Sequence, residues 1–283
     1  MQKTIKQTAC CTGICITGQT DCTVTFHPAP PDTGIVFIRE DLPEQPEIPC
    51  RPEYARVDAR WTSLVNNDIR IDHTEHLLAA IAGLGLDNLK VSLNSAFIPV
   101  VSSFSSRDFV QTLLKAELVF QDTPKRCFSI HEPVCIANPF FHQEKRYDRF
   151  LLALPAPELT LTYLLDYPDK EIPTQLAHFT FDGSLDFASE LATARSYIME
   201  SEYEAVVKLI GKNIEDCLVI SKGPLNLQWD NEPARHKVLD LLGDIHTIGR
   251  PIKGHFIGIR TGHKDNNQLC QKLKMQIKEE LLK

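Results

Sequence analysis

The chain has 283 residues, 43% of them apolar and 24% charged, the balance of a globular protein long enough for two ordinary domains or one large one. Its 37 Asp and Glu outnumber its 30 Lys and Arg, and the net charge of -7 excludes the clustered cationic face that nucleic-acid phosphates require. The longest apolar run, LLAAIAGLGL at 77–86, is about half of what a bilayer-spanning helix needs, and the N-terminal MQKTIKQTACCTG lacks the apolar stretch of a secretory signal, so a cytoplasmic protein without a transmembrane segment is expected.

In chain order, the first 45 residues alternate β-branched and aromatic residues with Gly, Pro and Asp, which predicts a β-meander. Helical periodicity begins near Asp72 and stops at Gly83 or Gly85, followed by a strand at DNLKVSLN. A second helix is predicted over 107–120. The polar QDTPKR that follows reads as a boundary between an N-terminal unit, 1–122, and a C-terminal unit, 126–283. The second half carries strands at RFLLALP, LTLTYLLDY and LAHFTFD, a helix around 187–196, a helical ESEYEAVVKLIG, a strand EDCLVIS, a helix over PARHKVLDLLGD, a strand GHFIGIR and a C-terminal amphipathic helix with a charged outer face. This order predicts two α+β halves. The nine cysteines are an odd number, which favours reduced thiols. The cluster Cys10, Cys11, Cys15 lacks the C-x2-C spacing of a metal site and reads as small buried side chains in strands.

Two segments carry groups suited to chemistry. In PARHKVLDLLGD, His236 and Asp240 stand one turn apart and share an arc with Gly243, Asp244 and Thr247, opposite an apolar face of Val238, Leu239, Leu241, Leu242, Ile245 and Ile248. That polar arc is either a solvated face or part of a metal cage. In HTEH, Glu75 directly precedes His76 at a helix start. Asp72 and Glu75 also have the spacing of a capping box, which needs no ligand, and His73 reads as an exposed helix-start imidazole. Zinc hydrolases need three His or carboxylate ligands, an open fourth position and a non-ligand carboxylate beside it. His76, His236, Asp240 and Glu75 supply that set. His263 lies in a turn between a strand and a helix, where a site-facing imidazole often sits. His27, His131, His142, His178, His246 and His255 have no partner that the sequence names.

Together, HPAPPDTGIVFIREDL (27–42), IDHTEHLLAAIAGLGLDN (71–88), ATARSY (192–197), EPARHKVLDLLGDI (232–245) and GHKDNNQL (262–269) resemble the UDP-3-O-acyl-N-acetylglucosamine deacetylases, the zinc enzymes that commit the sugar nucleotide to lipid A synthesis. The resemblance implies one Zn2+ on His76, His236 and Asp240, Glu75 as general base, His263 as the cationic acid and Asp244 as its orienter. It also implies that Lys237 faces the nucleotide phosphate or the sugar and that Tyr167 packs on the nucleotide. Ser196, where the family has Thr, would donate its hydroxyl to the oxyanion. The implied fold is two similar α+β domains with helical layers sandwiched between their sheets, the site in the inter-domain cleft and an acyl passage around 197–221. The implied protein is a cytoplasmic monomer acting on a small acylated UDP-sugar.

Three segments depart from the family pattern. GICITG places Thr17 where a His is usual, VVSSFSSRDF loses an Asp and a Gly, and the Gly-rich stretch after ESEYEAVVKLIGKNIEDCLVI is shortened. All three bear on substrate contacts rather than on the metal chemistry. A paralogue acting on another N-acetylated sugar or amide, or a silent sugar-nucleotide-binding relative, therefore stays open beside the deacetylase.

Overall fold

The computed structural model describes all residues except 18–19, 59, 169–171, 184, 211–216, 222–225 and 282–283. Six α-helices are seen among the described residues: α1 (Glu75–Gly83), α2 (Arg107–Lys115), α3 (Phe187–Glu190), α4 (Tyr203–Ile210), α5 (Glu232–His246) and α6 (His263–Leu281). Helix α1 is built from Leu, Ala and Ile on every side, and all residues from Glu75 to Ile81 are buried, so it is a core helix rather than an amphipathic surface one. Helix α5 starts with a Pro in its first turn, where the missing N–H costs nothing. Its apolar face packs on the strands Leu159–Leu165 and Gln175–Thr180, and it also packs along α1.

The two helices approach closely because of Gly243. A Cβ there would stand 2.0 Å from the Glu75 carbonyl oxygen, so only glycine lets the backbones pack at this point. The arc of α5 that carries His236, Asp240 and Asp244 is consequently buried, which overturns its reading as a solvated face.

Several mixed sheets pack against these helices in an α+β arrangement. The five-stranded sheet has the order Ala9–Ile14, Asp21–Pro28, Leu89–Leu93, Ile35–Arg39, Glu47–Pro49. The predicted meander is therefore corrected: Leu89–Leu93 inserts between the second and third strands and runs parallel to Ile35–Arg39. No local turn signal in the first 45 residues encodes that long-range pairing. The larger sheet runs Val134–His142, Lys145–Leu154, Ile252–Ile259, Leu159–Leu165, Gln175–Thr180, with Phe128–Ser129 paired to Ile252–Ile259 off the path. A three-stranded sheet (Ala55–Arg56, Ser63–Asn66, Ile69–Ile71) leads into α1.

Two helix lengths differ from expectation. Helix α2 stops at Lys115 because Glu117 adopts a left-handed φ of 58°, after which Leu118–Gln121 pairs antiparallel with Gln2–Ile5. Helix α3 ends at Glu190, and Tyr197–Met199 is a strand paired with Leu218–Ile220. The cysteines are all free; within the cluster read as small buried side chains, Cys15 is buried, Cys11 half-buried and Cys10 exposed, so that expectation holds only in part.

The glycine contact generates a prediction. Gly243→Ala should lower stability by about 1–3 kcal/mol through overpacking and also weaken metal retention, since it pushes α5 away from Glu75 and His76. Urea unfolding read beside bound-metal content checks both effects.

Candidate active site

The N-terminus of α1 is fixed from outside the helix. The Thr74 hydroxyl donates to the Thr62 carbonyl oxygen (3.0 Å), the Thr62 N–H donates to Glu75 Oε2 (3.0 Å), and the Ser106 hydroxyl donates to the His76 carbonyl oxygen (2.6 Å). There is no capping box: Thr74 occupies the N-cap, and its side chain accepts from no N–H of the helix. Asp72 instead accepts from Trp61 Nε1 (3.1 Å), Arg70 Nε (2.6 Å) and the Ser63 hydroxyl. Glu75 and His76 are thus the first two helical residues, aimed at α5.

His76 Nε2 lies 3.4 Å from Asp240 Oδ1, and His236 Nε2 lies 3.3 Å from the same oxygen. Ions bonded at about 2.0–2.1 Å to N and O in a tetrahedron require ligand atoms about 3.3–3.4 Å apart, so these separations fit one zinc. Asp240 Oδ1 is buried without a hydrogen-bond partner, a free lone pair in the middle of the group. Its other oxygen accepts from Lys237 Nζ at 2.8 Å. His236 Nδ1 donates to the Ala194 carbonyl oxygen (3.0 Å), which sets the tautomer that leaves Nε2 unprotonated towards Asp240. The residues present therefore fit a zinc ion.

Burial and neighbouring charge set the protonation states. Burial pushes His236 down to about 4, keeping it a neutral ligand-type imidazole at pH 7. Burial alone would raise the Asp240 carboxyl, but its neighbours His236 and Lys237 hold it well below the usual range. Burial pushes the Glu75 carboxyl up, against the pull of His263 and His76. Burial alone would depress His263, yet the Asp244 carboxylate, which accepts from its Nδ1 at 2.8 Å, prevails and takes it up to about 10. Asp244 is itself held by the Thr62 hydroxyl (2.6 Å) and Asn266 Nδ2 (2.7 Å). Burial would depress the Lys237 ammonium, but the Asp240 carboxylate it contacts outweighs that and keeps it cationic.

Glu75, His76, Ser196, Lys237, His236, Asp240 and His263 line one cavity of about 140 Å³. Asp244 stands behind His263. Tyr167 lies outside that cavity and lines a neighbouring one of about 190 Å³ with Phe140, Arg149 and Arg260. Lys237 borders both, and Tyr167 and Tyr197 share a hydroxyl contact of 3.0 Å.

His73 is a correction. It is buried, its φ is 63°, its Nδ1 has no partner, and its Nε2 stands 3.9 Å from Glu75 Oε1. Together with Glu75 and His76 it forms a second group with metal-type spacing, sharing His76 with the first. The sequence signal, a His three residues before another, was visible in HTEH, but nothing local indicated burial. Trp61 and Thr62 were also missed, since neither belongs to a motif, and Phe104 and Asn266 were missed although they lie in VVSSFSSRDF and GHKDNNQL, because nothing local gave either side chain a role.

Two of the three departing segments reach this cavity: Ile16 from GICITG and Phe104 from VVSSFSSRDF line it. Thr17 is bonded to Cys15 (2.9 Å) instead. Residues 222–225 of the shortened stretch, like residues 211–216 of the segment before it, lie outside the described residues. Among the other histidines, His27 meets the Ser92 hydroxyl at 2.9 Å, and the Thr162 hydroxyl lies 2.8 Å from both His178 and His255.

Residues 2–275 match the family described as UDP-3-O-acyl N-acetylglycosamine deacetylase. The chain belongs to this family. It is 34% identical to the UDP-3-O-acyl-N-acetylglucosamine deacetylase of Pseudomonas entomophila over 96% of its own length and 89% of that protein, and 31% identical to the one of Coxiella burnetii with the same coverage. It is also 33% identical to the bifunctional enzyme LpxC/FabZ of Chlorobaculum tepidum, covering 96% of this chain but 64% of that longer protein. Family membership and the His76, His236 and Asp240 cluster make this a zinc-dependent hydrolase of the deacetylase type. No helix among the described residues is long and apolar enough to cross a membrane.

The His263–Asp244 pair yields a pH prediction. A histidine raised from 6.5 to about 10 gives stability that is fully present below pH 6.5, declines above it and is lost as pH rises through about 10. The stability difference between the native chain and His263→Gln should shrink steadily across that window. Urea unfolding with a chelator present, so that metal binding adds no pH dependence of its own, measures it.

Proposed function

We propose that the chain removes the N-acetyl group from a UDP-3-O-acyl-N-acetylglucosamine, releasing acetate and the free amine at the committed step of lipid A synthesis. The observation that carries this reading is the meeting of His76 with His236 and Asp240 around one point, with the buried Glu75 and the cationic His263 lining the same cavity. A zinc ion held by His76, His236 and Asp240 would supply Lewis acidity towards water and the acetamide carbonyl.

The chain's own groups divide the remaining work. Glu75, raised by burial and gripped at Oε2 by the Thr62 N–H, takes the proton from the attacking water on its other oxygen. His263, kept protonated by Asp244, delivers a proton to the departing amine, which cannot leave as an anion. Ser196 donates its hydroxyl to the developing oxyanion. Lys237 faces the sugar on one side and the nucleotide on the other. Arg149, Arg260 and Tyr167 in the adjoining cavity offer cationic and aromatic partners to a diphosphate and its base.

In this reading 1–122 and 126–283 are two α+β domains, the first supplying Glu75 and His76 and the second His236, Asp240 and His263. The helices α1 and α5 lie in layers between the two main sheets, with the site in the cleft between the domains. The protein works as a cytoplasmic monomer. A silent sugar-nucleotide binder has no use for a buried base and a paired acid beside its metal site, so retention of all these groups favours the enzyme.

Two substitutions separate metal from base. His76→Ala should cut bound zinc from one per chain to near none. Glu75→Gln should keep the zinc but slow acetate release by about 10²- to 10⁴-fold, the usual contribution of a general base. Metal analysis beside an acetate assay on the acylated UDP-sugar checks both; zinc retained in His76→Ala, or full activity in Glu75→Gln, would contradict the assignment.

A further inference from the structure

A separate cavity opens at the far ends of the two helices that carry the site. It measures about 390 Å³, a size that small-molecule pockets commonly have, and shares no lining residue with the cavity at His76 and His236. The last turns of α1 and α5 contribute Ala82, Gly83, Ile245 and His246 to it. Ala82, Leu84, Leu159 and Phe181 line it and are only partly buried, so the main core leaves some of their apolar surface uncovered there.

Four cations also line this cavity. Lys3 and Lys125 converge over Gly85, their Nζ atoms 3.7 and 3.8 Å from the position a Cβ on that glycine would take. Arg250 and Lys253 come from the second half of the chain. Two carboxylates answer them: Asp87 stands 3.1 Å from Lys125, and Glu158 stands 3.5 Å from Lys253. Among the described residues Lys3 and Arg250 pair with no carboxylate, and Lys3 rests over the Phe120 ring at 5.2 Å. Burial and the nearby Lys125 push His246 down to about 4, so that imidazole adds no charge at pH 7. A helix C-terminus carries about half a negative charge, so the ends of α1 and α5 cancel roughly one of the two surplus positive charges. About one remains, in a chain whose net charge is -7.

We propose that this cavity binds an amphipathic organic monoanion, a carboxylate on an apolar body of medium length. The head sits against Lys3 and Lys125 over Gly85, and Arg250 adds the second unpaired charge to the field around it. The body covers Leu84, Leu159 and Phe181 and removes their exposed surface from water. A purely apolar guest would leave the surplus charge unanswered, and a bare anion would leave the apolar floor wet. The site is separate from the metal cluster and does not depend on the deacetylase reading.

Calorimetric titration of the full chain with octanoate, acetate and octanol tests this. Octanoate should bind at one site per chain, about tenfold or more tightly than acetate, which lacks the methylenes, and than octanol, which lacks the charge. Lys125→Glu and Arg250→Glu should each weaken octanoate by about tenfold or more. Circular dichroism checks that each variant is folded, and the comparison of the three ligands on the native chain stands even if neither is. No octanoate binding, equal affinity for octanoate and either control, or an octanoate affinity unmoved in both folded variants, as entry into the metal-lined cavity would give, overturns the proposal.

Discussion

The structure depends on one close approach. Helix α5 packs against the start of α1 at Gly243, where the absent Cβ leaves room for the Glu75 carbonyl. That contact sets the register of two helices separated by 148 residues of chain (84–231), and the register decides which side chains face each other. With it, His76 stands beside His236 and Asp240, and Asp244 comes within reach of Thr62 and His263. Helix packing, rather than any local turn, assembles the site.

Burial at that contact then sorts the charges. Two imidazoles, a carboxylate ligand, a second carboxylate and a cationic imidazole share a small volume, an arrangement that repels itself unless each group is held in a definite state. His236 is neutral through burial, Asp240 is anionic through its neighbours, and His263 is cationic through Asp244. A divalent ion among the first three would relieve what burial costs the carboxylate. The apparent excess of polar groups in the interior is therefore a consequence of the chemistry rather than a packing error.

Much of this was legible in the sequence, for identifiable reasons. The helical spacing of His236 and Asp240 and the adjacency of Glu75 and His76 are local facts, so both pairs could be read without coordinates. Their meeting is non-local, and only the ordered set of five segments pointed to it. Whether the polar arc of α5 faces water or another helix could not be read, because periodicity identifies faces without saying what covers them. His73 shows the same limit. The insertion of Leu89–Leu93 between earlier strands was hidden because strand order is a long-range property, and Trp61 and Phe104 were missed because nothing local marks a side chain as part of an apolar wall.

The central claim is that α1 and α5 jointly hold one ion, and its most direct test is a crystal structure of the zinc-loaded protein with anomalous data at the zinc edge. The account predicts one peak per chain within about 2.0–2.2 Å of His76 Nε2, His236 Nε2 and Asp240 Oδ1. A peak on His73 and Glu75 without the α5 ligands, at the cysteines, or nowhere in the protein would contradict it.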